Sequence, residues 1–573
     1  MSDKSKFNMS AKTWLLAVVV AALTFAVFYP TLSNGFVNWD DPTYIYKNRM
    51  IRSLDAEFIK WAFTSIVSAN WHPLTMISHA IDFALFGENP AGHHFTSILI
   101  HAINSLLVFV LSWRLITYGL ARVAGNEQSV CEAGKKSYPL VAALVAALLF
   151  GLHPVHVESV AWAAERKDLL CALFFLFSFL GYLKYREGGA RSTLFYVLSL
   201  LALAAALLSK PMAVTLPVLL IIVDIYPLGR RPSVRSVVIE KLPFFALGLL
   251  SSVITLITQS AGGAMGSLET YTVISRVLIA ARAYPFYLVK MALPTNLAPY
   301  YPQQGTPSLA GAEFILSILF VTVITVVSYV LYKKRLRLVA ALWAGYFVLL
   351  LPVSGIVQVG AQSAADRYTY LPSIAPFILV GVVAALVLEK FFKRKLLPAA
   401  ICSVVVITVM YAPLTVRQIA VWKDSITLWS HEIELWPDSV AIAYTNRGIA
   451  LGGKGKLGEA KADFTRAIEI MPEHAEAYYN RAKAYGMERR HDLAIADLSI
   501  AVQIRPMHAA SFFNRGAEYA NLGRYPEAIA DFERVAEIAP RGAAEAYRNI
   551  SKAYSLMGDT ERAAIYAERA RRR

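Results

Sequence analysis

Residues 14 to 29 read WLLAVVVAALTFAVFY, a run without a single charge, preceded by Lys4, Lys6 and Lys12. About 20 apolar residues cross the hydrocarbon layer of a bilayer. No convincing small-residue cleavage site follows, so the run reads as an uncleaved first membrane span. Working outward, similar runs recur near 13 to 31, 94 to 117, 138 to 153, 168 to 185, 193 to 209, 211 to 228, 242 to 259, 312 to 332, 337 to 357, 372 to 389 and 396 to 414, about eleven spans. Beyond about Trp422 the chain becomes charged and rich in Ala and Tyr. The expected fold class is all-α, with a polytopic transmembrane domain over 1–420 and a helical solenoid over 421–573. Hydrophobic residues make up 56% of the 573, which excludes an ordinary soluble protein of several domains.

The net charge of +16 sits mostly in short clusters beside the apolar runs. That is what orientation in a lipid bilayer requires, so no nucleic-acid partner is expected. Cys131, Cys171 and Cys402 form no disulfide framework and no metal-ligand spacing. With the N-terminus in the cytoplasm, Lys135 and Lys136, Lys184 to Arg191, Arg230 to Arg235, Lys333 to Arg337 and Lys390 to Lys395 all fall on the cytoplasmic side. An odd number of spans then carries the C-terminal half to the opposite face. The segment Val273 to Leu293 is interrupted by Arg276, Arg282 and Pro285 and reads as an interfacial or re-entrant helix.

In the C-terminal half, Pro437, Pro472, Pro506 and Pro540 recur at 35, 34 and 34 residues, the period of tetratricopeptide repeats (TPRs). Inside each repeat an aromatic recurs at Tyr444, Tyr478, Phe512 and Tyr547, a small residue at Gly448, Ala482, Gly516 and Ser551, and an alanine at Ala460, Ala494, Ala528 and Ala563. Small residues at these places let two antiparallel helices approach closely. A half-repeat from Trp422 to Trp436 precedes the four. Asn446, Asn480, Asn514 and Asn549 recur at the place that faces a TPR groove, where an Asn ladder can bond the backbone of an extended peptide. Arg447, Arg481 and Arg515 follow three of these and equally suit a solvated face.

The loops on the outer face hold most of the polar chemistry. The first, 32 to 93, contains Asp40 and Asp41 between Trp39 and Pro42. Adjacent carboxylates raise one another's pKa, which suits a general base, and the same pair is also an ordinary turn or cap signal. A second holds His153, His156 and Glu158, followed by Glu165-Arg166-Lys167-Asp168, and a third holds Ala365-Asp366-Arg367-Tyr368. The two His and the Glu lack a fixed further strong ligand, so no metal is expected. Outer-face cations run against the positive-inside bias, so Arg166, Lys167 and Arg367 suit phosphate contacts or interfacial anchoring.

The segments 35–41, 153–161, 166–170 and 365–368, with the repeats downstream, resemble those of the transmembrane and tetratricopeptide-repeat containing (TMTC) family and its bacterial relatives, across nearly the whole chain. The resemblance implies a GT-C-type membrane glycosyltransferase similar to protein O-mannosyltransferases. Such an enzyme takes mannose or another hexose from a polyprenyl-phosphate carrier, needs no cofactor and attaches the sugar to Ser or Thr of extracytoplasmic proteins. It implies a base at Asp41 or Asp40, with Asp41 favoured, and donor contacts at Arg166, Lys167, Arg367, Tyr368, His153, His156 and Glu158. It also implies acceptor recruitment by the repeats and, for a bacterial member, an inner-membrane location with the TPRs in the periplasm. Where the family usually has Gly-Arg-x-Asp, this chain has Glu165-Arg166-Lys167-Asp168. Two other classes stay open: a non-catalytic membrane scaffold whose TPRs recruit envelope or secretion proteins, and a transferase acting on lipid-linked glycans.

The charge pattern predicts that a reporter fused after Lys136 or Arg335 reports the cytoplasm and one fused after Arg573 the outer face. A cytoplasmic signal from the Arg573 fusion would show that Val273 to Leu293 crosses the membrane.

Overall fold

The computed structural model describes residues 9–124, 137–230, 233–261, 272–303, 307–308, 311–357, 362–392 and 395–572. Lys4, Lys6, Cys131, Lys135, Lys136, Arg231 and Lys393 lie outside the described residues. The chain divides into two compact units, Met1–Asp424 and Ser425–Arg573. Cys171 and Cys402 are unpaired thiols.

In the first unit the helices are α1 (Ala11–Phe28), α2 (Ala56–Thr64), α3 (Pro73–Phe86), α4 (Pro90–Ala124), α5 (Ser137–Leu152), α6 (Val157–Ala161) and α7 (Arg166–Arg186). They continue with α8 (Ser192–Ser209), α9 (Leu216–Ile225), α10 (Val234–Ala261), α11 (Val273–Ala292), α12 (Ala312–Lys333), α13 (Arg337–Leu350), α14 (Ile374–Phe392) and α15 (Leu396–Val421). Each of the eleven expected spans is helical. Eight described helices are long and apolar enough to cross a bilayer, and the pair around Pro154, bent by 49°, makes a ninth as one broken span. The remaining two are the shorter apolar helices Pro211–Ile225 and Arg337–Val353. The first is short because Lys210, in extended conformation, turns the chain at a corner before Pro211. α11 carries Arg276, Arg282 and Lys290 and is not among the helices apolar enough to cross. Tyr301 and Pro302 pair antiparallel with Gln362 to Ala364, a two-stranded clip that leads into Arg367.

The break at Pro154 has a chemical explanation. In an α-helix the carbonyl of residue 150 accepts from the N–H of residue 154, and proline has none. The Nδ1 of His156 bonds the Phe150 carbonyl at 2.8 Å instead. The next two carbonyls are also lost to the ladder, and they are met by His101 Nε2 on Gly151 (3.2 Å) and the Thr415 hydroxyl on Leu152 (2.6 Å). His153 accepts from the Val155 N–H through Nδ1 at 3.2 Å, capping the new turn, and its Nε2 bonds the Met291 carbonyl at 2.8 Å. A carbonyl left bare inside a membrane protein costs several kcal/mol, so these side chains make the break tolerable.

The second unit begins with α16 (Ser425–Leu435), whose Trp429 is buried, and continues as four helix pairs. These are α17 (Ala441–Gly453) with α18 (Leu457–Ile470), α19 (Ala475–Met487) with α20 (His491–Ile504), α21 (Ala509–Asn521) with α22 (Tyr525–Ile538), and α23 (Ala543–Leu556) with α24 (Thr560–Arg571). Ala460, Ala494 and Ala528 are buried at the helix contacts, and a Cβ on Gly448 would lie 2.6 Å from the Phe464 ring. Arg447, Arg481 and Arg515 are not simply solvated. Each grips the aspartate sixteen residues on, Asp463, Asp497 or Asp531, with two parallel N–H···O bonds of 2.7 or 2.8 Å. The third nitrogen donates to Ser430, Thr465 or Ser499 on the helix before. In the fourth pair the equivalent positions are Ile550, which is buried, and Tyr566, so that pair closes on apolar packing.

Removing one partner of a mostly buried ion pair strands the other. Asp497→Ala should destabilise its repeat by on the order of 2 kcal/mol, read as faster amide exchange across 475–504 in the full chain. Exchange unchanged there would show the clamp to be energetically idle.

Candidate active site

The loop after α1 is tied to the end of α15: Asn34 Nδ2 donates to the Ile419 carbonyl (3.1 Å) and the Gly35 N–H to the Lys423 carbonyl (2.8 Å). Asp41 then fixes its course. One carboxylate oxygen accepts the N–H of Val37 and the other that of Ala164, each at 2.8 Å, so the loop is pinned to the turn before α7. Asp41 is 1% exposed. Asp40, its neighbour, faces a cavity of about 540 Å³, with Lys167 Nζ 3.7 Å from its Oδ2.

The charged lining of that cavity comes from four parts of the chain: Asp40, beside Trp39, from the loop, Glu165 and Lys167 from the start of α7, Lys210 from the corner after α8, and Arg367 from the segment after the clip. Glu165 is the hub, 3.0 Å from Lys167, 2.6 Å from Lys210 and 3.9 Å from Arg367. Asp168 holds Lys210 from behind at 2.5 Å, and Glu158 holds Arg367 through both its side chain and its backbone N–H. Three cations thus converge on a surface where one acidic side chain, Asp40, is only loosely engaged. Another wall is apolar from Pro211 to Val214 and from Pro352 to Val357, and α10 adds Leu256 beside Ser252, Thr255 and Gln259. Trp39 stacks on Trp162 at 4.6 Å, and the Arg367 guanidinium lies 5.9 and 5.5 Å from those two rings. The surface suits an anionic group held near a carboxylate that can take a proton.

The sequence-predicted residues separate clearly. Asp40, Lys167, Arg367 and Tyr368 line the cavity, and Asp41 and Glu158 lie directly behind it, binding backbone and Arg367. Arg166 does not reach it. Its guanidinium is buried against Asp82 (2.5 Å), the His93 carbonyl (2.6 Å) and Ser78, because one step along a helix turns a side chain by about 100°. His153 and His156 belong to the break in the span and bond backbone carbonyls, not the cavity. Asn446, Asn480, Asn514 and Asn549 lie in the other unit, each half-buried on the first helix of its repeat, and Asn480 donates to the Glu476 carbonyl. Lys210 was not singled out from the sequence, and Glu165 only as a departure from the family's Gly. Lys210 closes an apolar run, as a single lysine after the helix Ser192–Ser209.

Family models described as tetratricopeptide repeat match residues 441–474 and 507–573. Protein O-mannosyl-transferase TMTC4 of Mus musculus is 33% identical over 235 residues, covering 38% of this chain and 30% of that protein. Its Homo sapiens counterpart is 34% identical over 228 residues, 37% of this chain and 29% of that protein. Protein O-mannosyl-transferase F38B6.6 of Caenorhabditis elegans is 24% identical over 471 residues, 80% of this chain and 63% of that protein. The matched part of the chain spans less than a third of either TMTC4 protein.

Burial raises the Asp41 carboxyl from 3.8 to about 7, against the Val37 and Ala164 N–H groups, which lower it. A carboxyl raised in the folded state lends stability that is full below its unfolded value of 3.8 and is lost as pH rises through about 7. The unfolding temperature in detergent should therefore fall between about pH 5 and pH 7.5, with a shallower fall in Asp41→Asn. Equal slopes in the two proteins would remove Asp41 as the titrating group.

Proposed function

We propose that this chain is a member of the transmembrane and tetratricopeptide-repeat containing family and a membrane glycosyltransferase that moves mannose or another hexose from a polyprenyl-phosphate carrier to Ser or Thr hydroxyls of extracytoplasmic proteins. What carries the reading is the placement of Asp40, an accessible carboxylate beside Lys167, Lys210 and Arg367 at the rim of a cavity with one apolar wall. The names of the relatives, protein O-mannosyl-transferases, support this reaction class. The polar half of the cavity suits a sugar phosphate and the apolar wall the start of its lipid. The location is the bacterial inner membrane, with the N-terminus in the cytoplasm and the repeats on the outer face recruiting acceptors.

In this mechanism Asp40 accepts the proton of the acceptor hydroxyl as its oxygen bonds to the anomeric carbon. The bond from that carbon to the phosphate oxygen breaks, and the electron pair leaves with the phosphate. Lys167, Lys210 and Arg367 stabilise the charge that develops there. Asp40 takes the role of base in preference to Asp41, because both Asp41 oxygens already hold backbone N–H groups. Asp41 positions the loop, and Glu165, Asp168 and Glu158 keep the three cations aimed when no phosphate is bound. Trp39 supplies an aromatic face on which a hexose ring can lie.

Asp40→Asn removes the base and keeps the shape, so transfer should fall by roughly 100 to 10,000-fold while binding of the polyprenyl-phosphate sugar persists. Lys210→Gln should weaken donor binding as well as turnover. Full transfer by the Asp40→Asn protein, assayed with purified carrier-linked sugar and an acceptor peptide, would refute the role of Asp40. Donor binding lost along with transfer would make Asp40 structural.

A further inference from the structure

A second cavity, of about 690 Å³, opens between α4, α7 and α8. It is apolar along most of its length, where Phe174 and Phe177 of α7 face Leu198 and Leu201 of α8. Phe177 is 46% and Leu201 61% exposed, large apolar groups that none of the described residues covers. Its character changes at one end, where Arg114 of α4 and Lys184 of α7 enter the lining. These cations share one carboxylate: Glu187 lies 3.5 Å from Arg114 and 2.7 Å from Lys184, and also accepts the Tyr118 hydroxyl at 3.0 Å. Among the described residues, two positive charges meet this one carboxylate, so the end of the groove is net cationic. Lys184 lies seventeen residues beyond Lys167 on the same helix, about 26 Å at 1.5 Å per residue. The cationic end is therefore at the opposite membrane face from the active-site cavity.

We propose that this groove is a binding site for an anionic phospholipid of the leaflet facing away from the active site, its phosphate on Arg114 and Lys184 and an acyl chain along Phe174, Phe177, Leu198 and Leu201. The charge decides the occupant. A zwitterionic lipid brings its own cation and leaves the excess charge uncompensated, and a free phosphate leaves the apolar length bare. Basic pockets between spans at the cytoplasmic face are where anionic headgroups collect. The positive-inside pattern puts Lys184 on that face. The inference rests on the helices crossing a bilayer and not on the transferase reading.

The test is native mass spectrometry of the full-length protein in detergent, titrated with phosphatidylglycerol, phosphatidylcholine or inorganic phosphate. Phosphatidylglycerol should bind in preference to phosphatidylcholine, and R114Q with K184Q should weaken it roughly fivefold for each charge removed, leaving phosphatidylcholine unchanged. E187Q removes the competing carboxylate and should tighten phosphatidylglycerol about fivefold, a gain that misfolding cannot mimic. Equal binding of the two lipids, phosphatidylglycerol affinity unmoved in both the double variant and E187Q, or displacement of the lipid by equimolar phosphate would each overturn the proposal.

Discussion

Four charged side chains in a row, Glu165, Arg166, Lys167 and Asp168, are buried at the start of a membrane helix, and much of the first unit is arranged around their pairing. Successive residues on a helix point about 100° apart, so the four fan outward and no single neighbour can serve them all. An unpaired charge in such surroundings costs several kcal/mol, so each direction needs its own counter-charge. Arg166 draws in Asp82 of α3, Lys167 takes the loop through Asp40, and Glu165 and Asp168 together hold the corner at Lys210. Three segments far apart in sequence are fixed by one turn of helix, and the cavity is the space left among them.

The broken span before α7 meets a related demand with hydrogen bonds instead of ion pairs. Pro154 ends the helix early, and the freed carbonyls of Phe150, Gly151 and Leu152 take donors from His156, His101 and Thr415. This lets the chain turn at membrane depth and return with Glu158, Trp162 and Glu165 beside one another. A straight helix would have carried those residues past the cavity.

Much of this was legible in the sequence as pattern and little of it as direction. The apolar runs located the long helices, the 34-residue period located the repeats, and three of the polar segments, around Asp40, Lys167 and Arg367, border one cavity. Composition cannot distinguish neighbours on a helix: Arg166 and Lys167 look alike in a charge count, yet one is locked behind α3 and the other lines the cavity. The same holds for Asp40 and Asp41, separated by which of them captured the backbone N–H groups of Val37 and Ala164. The His-Pro-Val-His segment reads as chemistry because histidine so often is chemistry. Here the missing proline N–H gives its rings a structural task that becomes visible only once the carbonyls left without donors are counted. Lys210 stayed hidden because a single lysine at the end of an apolar run is commonplace, and its partners lie more than forty residues away.

The arginine clamps of the repeats bear on how such an array can change in length. Each arginine spans three successive helices, reaching forward to its own pair and back to the helix before, so every repeat carries half of a joint that its neighbour completes. Duplicating or excising a whole unit restores each joint with an identical one, whereas inserting a few residues inside a unit separates an arginine from its aspartate. Length can therefore vary in quanta of about 34 residues at almost no energetic penalty. Selection can tune the reach of the array by copying, with no need to redesign an interface each time.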